Sequence, residues 1–565
     1  MWKHQHNQSL NQYLVIEPSK VVSIKNAHAT KNRRQPIGTK AILCGCLIDG
    51  TGRPALNDAT IIVKGNKIAA VGKRDEVKVP EGAEVIDATG KTVLPGLIDS
   101  HTHFLGMGYS LTHLQLIDTR SIGEITEGLK NYISSRKMGK GKWVQGRQWD
   151  DQNLKEGRYP TRHDLDEVSP HNPVALTRIC GHMITLNTRA LEACGITRDT
   201  PNPPGGVIDR DKHGEPTGVL RDARGLVTPH IPPPTHEELR QGIRDAVALA
   251  HSLGCTGVTD CSRPDESAPH LSTRPYIDAH RENDLHLRCH VMTWYPREWS
   301  GDQWLTLGTL KIGIDGSAGA QTALMFEPYS NNPATRGVYV GDQERNKRVV
   351  AEQHAKGGQV AIHAIGDRAC SEALNRIEEV LEAKPRPDHR YRVEHFEYPI
   401  DADIERARKL GIIASMQPNF VGEWGWPGGM YDSRVGPKRL ARGNPYRRLL
   451  DLGFHMPFGS DGMPFHPLYG LWSAVNHPQP GGRITLEEAV RCFTLEGAYV
   501  TREEAIKGSI ERGKLADIAI FDGDLRGNWF KLRSTEPRAI EQQKAGIKQG
   551  RAWMTILDGE VVYKA

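Results

Sequence analysis

The chain has 565 residues, 38% of them hydrophobic and 25% charged. That length exceeds one ordinary domain and allows a large core. Its 73 basic and 68 acidic residues leave a net charge of only +5, which argues against a nucleic-acid partner or a membrane-surface role, and no run of about 18 apolar residues offers a spanning helix.

Residues 1–38 are polar and rich in Asn, Gln, Lys and His, without the apolar stretch of a signal peptide. They read as a disordered tail or an over-long start, with metal binding by His4 and His6 as the sharper alternative. From 39 to 96, AILCGCLID, ATIIVKGNKIAAVG and AEVIDATGKTVLPG read as short strands broken at Gly, Asn and Asp, and KGNKI signals a tight hairpin. Residues 500–565 repeat that style in KGSIERGKLADIAIFDGD and AWMTILDGEVVYKA. The two chain ends together predict one small discontinuous β-sandwich domain.

The middle, 97–499, alternates strand and helix patterns. PGLIDSHTH reads as a strand, and others are predicted at 254–261, 287–294, 309–317, 358–367, 391–397, 411–418 and 455–461. Helical spacing marks 236–254, RNKRVVAEQHAKGG and DADIERARKLG between them. Eight parallel-type strands predict an α/β fold, a (β/α)8 TIM barrel rather than an open sheet. The stretch 104–235 is too long for one strand–helix loop. It carries strand patterns of its own in WVQGRQWD, PVALTRIC and GGVIDRD, and GGVIDRDKHGEPTGVLRD reads as a hairpin. It is predicted to be an insertion after the first barrel strand, on the catalytic face.

Nine scattered cysteines are odd in number and lack the spacing of a disulfide framework, so they read as buried free thiols in a reducing cytoplasm. The Cys44–Cys46 pair sits in an alternating strand and reads as packing rather than metal binding.

The chemistry begins with His101 and His103. Two apart in a strand, they share a face and can reach one metal ion. Alone, such a pair is equally an ordinary strand face. Later strands each end with a further ligand-type residue: Lys311 in LKIGIDG, His363 in VAIHAIGD, His395 in RVEHFE and Asp461 in FGSDGMP. In a barrel these ends converge on one rim. Each has a plain alternative, whether a satisfied core histidine, a helix cap at Asp461, or a Lys311 paired with Asp315 or Asp461. Glu394 and Glu397 flank His395; at an odd offset, Glu394 is expected to face away from it.

In that order, PGLIDSHTH, the Lys311 strand with IDGSAGAQTA, AIHAIGD, VEHF, PFGSD and the closing GSIERGKLADIAIFD resemble the amidohydrolase superfamily, specifically its amidohydrolase-3 or YtcJ-like group, over residues 40–565. The resemblance implies a hydrolase of amide-type C–N bonds in small molecules, with one or two zinc or other divalent ions, and a homodimer. It places the more buried ion at His101 and His103 and the more exposed one at His363 and His395. Lys311 would be carboxylated and bridge them, and Asp461 would be both ligand and general base. His182, Trp149 and Asp150 match insertion patterns that could reach substrate or simply pack the insertion. The loop 422–432, GEWGWPGGMYD, could form an apolar wall or a flexible surface loop. Residues 319–321 read Gly-Ala-Gln where relatives often carry a serine-arginine pair, so specificity could differ. The same site could serve an ester, a phosphoester or a decarboxylation, because fold does not imply function. A non-catalytic structural relative is the remaining alternative.

Overall fold

The computed structural model describes residues 38–178, 183–203, 206–262 and 273–565. They divide into two compact units, residues 106–245 and residues 38–105 with 246–565. Among the described residues no helix is long and apolar enough to cross a membrane.

The larger unit opens with β1 (Thr39–Leu47), β2 (Leu56–Lys64), β3 (Lys67–Lys73) and β4 (Glu84–Pro95). Lys64 pairs with Lys67 across the KGNKI turn, where Gly65 takes φ 58°. That left-handed conformation costs glycine nothing and fits the turn. The barrel follows, with β5 (Leu97–Thr102), β6 (Cys255–Asp260), β7 (Arg288–Thr293), β8 (Leu305–Gly313), β9 (Gln359–Ala364), β10 (Arg392–His395) and β11 (Ile413–Ser415). The chain ends in β12 (Ile518–Asp522), β13 (Met554–Leu557) and β14 (Glu560–Lys564).

Strands from both chain ends share one seven-stranded sheet, in the order β14-β13-β12-β4-β1-β2-β3. Alternating apolar residues on its strands, among them Ile42, Cys44, Ile61, Val63, Ile518, Ile520 and Ile556, form one buried cluster. Arg288, at the start of β7, binds Asp517 through Nε at 2.7 Å and Nη2 at 3.0 Å, and binds Asp558 at 2.9 Å. This largely buried ion cluster ties the barrel to the sheet.

The barrel sheet runs β11-β10-β9-β8-β7-β6-β5, and all neighbours on that path are parallel. The strand predicted at 455–461 is not a regular strand. It nevertheless lies between the two sheet edges: Met416 bridges Phe458 in parallel, the Ser100 amide donates to the Phe458 carbonyl at 2.9 Å, and the Asp461 amide donates to the His101 carbonyl at 2.7 Å. Pro457 has no N–H to give and Asp461 adopts φ 56°, so the ladder stays short. Helices Gln343–Ala355, Asp367–Ala383 and Asp401–Leu410 alternate with the strands. The last ends at Gly411, whose φ of 68° is that of a left-handed C-cap.

The unit 106–245 has its own six-stranded sheet, from Val207–Arg210 and Pro216–Arg221 through Met183–Leu186, Val174–Arg178 and Val144–Trp149 to Leu114–Gln115. The first two strands form the expected hairpin. Helix Ile122–Ser135 is capped by the Ser121 hydroxyl, which accepts from the Glu124 amide, and it buries Ile122, Ile125 and Leu129 at helical spacing. Those residues join Leu114, Val144, Trp149 and Leu176 in a core internal to this unit.

Candidate metal centre

His101 and His103 stand at the C-terminal end of β5, where strand alternation puts both rings on one side. His101 is buried, whereas the His103 side chain is 48% exposed. Asp461 reaches both: its Oδ1 lies 3.0 Å from His103 Nε2 and 3.5 Å from His101 Nε2. His395 packs its ring 4.9 Å from that of His101, and His363 lies 4.3 Å from His395. Lys311 comes up from β8, 3% exposed, and its Nζ has no hydrogen-bond partner among the described residues. The ring contacts link the four histidines, and Asp461 joins them at His101 and His103.

Lys311 is not the partner of Asp315. That carboxylate is used by three backbone amides, Leu324 and Gly366 at 2.8 and 2.9 Å and Ile365 at 3.1 Å. His363 donates its Nε2–H to the Gly316 carbonyl at 3.0 Å, leaving Nδ1 for another partner.

The expectation for Glu394 is corrected. Its Oε2 meets His101 Nδ1, and its Oε1 pairs with the Arg392 guanidinium. Glu394 therefore points into the barrel. His395 has φ 75° and Phe396 φ 44°, so the extended alternation ends at Glu394 and the histidine is re-aimed inward as well. Arg392 is fully buried, and its Nη2 also donates to the Ser100 carbonyl at 2.7 Å and to Ser415 Oγ at 2.9 Å. This clamp on His101 resembles the carboxylate–imidazole pairs that orient metal ligands.

Sequence reasoning missed Cys261, which directly follows β6. One ligand atom each from His101, His103, Cys261 and Asp461 lies within 4.8 Å of the others. A cysteine at the end of an apolar strand carries no signal in the sequence to set it apart from a packing thiol.

The charges of the site fall into two halves. Burial pushes the His101 imidazolium down, but Cys261 and Glu394 reverse this and hold it at about 9. Cys261 and Asp461 likewise hold His103 well above its ordinary value. Burial raises Asp461 and Cys261, yet the two imidazoles lower them to about 2 and about 6. Burial raises Glu394 too, and Arg392 and His101 bring it well below the ordinary value. On the other side, burial and Lys311 lower His363 to about 4, and burial and His363 hold His395 well below its usual value. One half is anion-rich and holds protons where a cation could replace them. The other holds imidazoles kept neutral, beside the Lys311 side chain. Donors of this kind, with His395 Nδ1 buried and without a hydrogen-bond partner among the described residues, fit a divalent ion.

The 422–432 segment is helical at its two ends, in Pro418–Trp424 and Met430–Val435, and looped at 425–429 between them. Phe420 lies 5.8 Å from His395 with ring planes 8° apart, and Trp424 and Tyr431 continue the aromatic row. Gln321 is held by Asn331 and Asn332 at 2.8 and 3.0 Å, with φ 58°. Trp149 is a core residue of its own unit, its indole N–H donating to the Leu176 carbonyl at 2.9 Å. Asp150 binds Arg178 at 2.8 Å. His182 lies outside the described residues.

Residues 84–563 match the model of the amidohydrolase family. A Bacillus subtilis (strain 168) protein named as an amidohydrolase, YtcJ, is 32% identical over 89% of this chain and 96% of its own length. The N-substituted formamide deformylase of Arthrobacter pascens is 28% identical over 82% of this chain and 90% of its length. Among solved structures, an uncharacterized metal-dependent hydrolase from Pyrococcus furiosus superposes with a TM-score of 0.68 and 27% identity, covering 86% of this chain and 99% of that one. With the parallel barrel and the ordered ligand-type residues at its strand ends, these similarities show that the chain belongs to the amidohydrolase family.

Proposed function

We propose that this protein is a metal-dependent hydrolase that cleaves the C–N bond of a small-molecule amide. The observation that carries the reading is the convergence of His101, His103, Cys261 and Asp461 donor atoms within 4.8 Å in a chain of this family. The relative named for N-substituted formamides supports an N-substituted amide as the substrate class. The aromatic row from Phe420 to Tyr431 suits an apolar N-substituent.

His101, His103, His363, His395 and Asp461 would hold one or two divalent ions, zinc foremost. Bound there, such an ion lowers the pKa of water to about 7 and polarises a carbonyl. Glu394 holds the His101 ring in place through Nδ1, leaving Nε2 as the free donor. Asp461 takes the proton of the attacking water on a carboxylate oxygen and returns it to the departing nitrogen. As an ammonium, Lys311 has three donors and no acceptor. Its neutral amine can add to the carbon of carbon dioxide and lose a proton, giving carbamate oxygens that face the same site. In chain order, residues 104–235 are an insertion after β5 within the hydrolase segment 97–499, and 39–96 with 500–565 form a β-sandwich domain.

A panel of N-substituted amides, esters, phosphoesters and carboxylates, assayed for amine, alcohol, phosphate and carbon dioxide release, tests the reading. Amine release from amides is expected, with near-complete loss in His363→Asn at retained circular dichroism. Turnover confined to the other classes, or full activity in the variant, would refute it.

A further inference from the structure

The cluster at β5 contains one donor that differs in kind from the rest. Cys261 is fully buried, and its place is fixed twice by the same carbonyl: its amide donates to Thr102 O at 2.8 Å, and its Sγ lies 3.1 Å from that oxygen. Thr102 stands between His101 and His103, so the thiol is anchored to the backbone that carries both imidazoles. Its Sγ lies 3.9 Å from His103 Nε2 and 4.0 Å from Nδ1. Zinc–sulfur and zinc–nitrogen bonds of about 2.3 and 2.0 Å put the two donors roughly 3.5 Å apart at a tetrahedral angle. The observed spacing is within a small side-chain adjustment of that.

Two further buried groups belong to the same centre. Asp461 Oδ1 is buried beside both histidines. Lys311 Nζ, 3% exposed, has no hydrogen-bond partner among the described residues, and it acts electrostatically on His101 and Asp461. Like Cys44, Cys46, Cys370 and Cys492, Cys261 touches an apolar cluster, here Met292 and Ala361, but its sulfur also faces the His103 ring.

We propose that Cys261 is a thiolate ligand of the ion held by His101, His103 and Asp461, and that this makes the centre selective for zinc or cobalt over manganese or magnesium. The inference rests on the metal-hydrolase reading above. Its chemistry is that of ligand softness: imidazole and carboxylate accept many divalent ions, whereas a thiolate favours the softer ones. On binding, the S–H bond breaks, the sulfur keeps the electron pair and donates it to the ion, and the proton leaves to solvent.

The test is the near-ultraviolet spectrum of the full-length protein loaded with cobalt(II). The wild type should show a sulfur-to-cobalt charge-transfer band. Cys261→Ser should retain cobalt through His101, His103 and Asp461 but lose the band, and with it the preference for zinc over manganese in competition. The wild-type spectrum decides the matter even if the variant fails to fold. Cobalt bound and amide hydrolysis supported, but no band, overturns the thiolate ligand and leaves the hydrolase reading standing. No cobalt bound at all overturns both. A band that persists unchanged in Cys261→Ser assigns it to another thiol and overturns the proposal.

Discussion

Glu394→Gln is the most revealing single substitution in the barrel. The change keeps the side chain's shape and one acceptor for His101 Nδ1 but removes the charge that faces Arg392. Arg392 is fully buried, and its remaining partners are neutral: the Ser100 carbonyl at 2.7 Å and Ser415 Oγ at 2.9 Å. At an effective dielectric of about 20, unit charges roughly 4 Å apart attract by about 4 kcal/mol. Stripping one member from a buried pair costs about 3–5 kcal/mol, because the other charge is left without compensation. Thermal unfolding should therefore shift clearly downward. Loss of the carboxylate behind a metal-binding imidazole should also weaken metal affinity by about 10–100-fold. A chelator competition titration with zinc measures the second effect, and near-ultraviolet circular dichroism checks that the fold persists. Unchanged affinity and an unchanged unfolding temperature would show that Glu394 neither orients His101 nor neutralises Arg392.

His290 supplies a pH prediction. Its buried ring lies 2.8 Å from Thr306 Oγ1 and 2.7 Å from Thr309 Oγ1, and burial lowers its pKa from 6.5 to about 3. The unfolded chain then binds the extra proton first, so this contribution to stability is complete above pH 6.5 and is lost as pH falls toward about 3. His290→Gln should flatten the fall in unfolding temperature across that window, and an identical slope would contradict the neutral buried ring. Gly459→Ala should disrupt the site through packing alone. A Cβ there would come 2.5 Å from the His101 amide nitrogen and 2.7 Å from the His101 Cβ. Overpacking of this kind costs about 1–3 kcal/mol and displaces His101, so metal content and unfolding temperature should both fall. Metal content equal to that of the wild type would refute the close seating of 455–461 on β5.

Much of this site could be read from spacing. His101 and His103 announce themselves as a strand pair, and Lys311, His363, His395 and Asp461 follow in chain order on strands whose ends converge. What spacing does not carry is local backbone that departs from the ideal. Glu394 was expected to face away because alternation assumes extended residues, and the left-handed His395 and Phe396 break that assumption. The segment 455–461 looks like a strand by composition, but Pro457 and the left-handed Asp461 leave it with a bridge and a few hydrogen bonds. Cys261 was hidden for another reason. An isolated cysteine in an apolar run means packing far more often than ligation, and only its distance to His103 sets it apart. Trp424 and Tyr431 are visible as composition in 422–432, whereas Phe420 lies outside that segment, and the helices at its two ends are masked by the many glycines.

The most direct test of a metal-dependent hydrolase is to measure metal content and amide hydrolysis together, on the purified protein, after chelation and after adding zinc back. At least one tightly held ion per chain is expected, with hydrolysis lost on its removal and recovered on its return. Hydrolysis that continues undiminished in the metal-free protein would contradict the central claim.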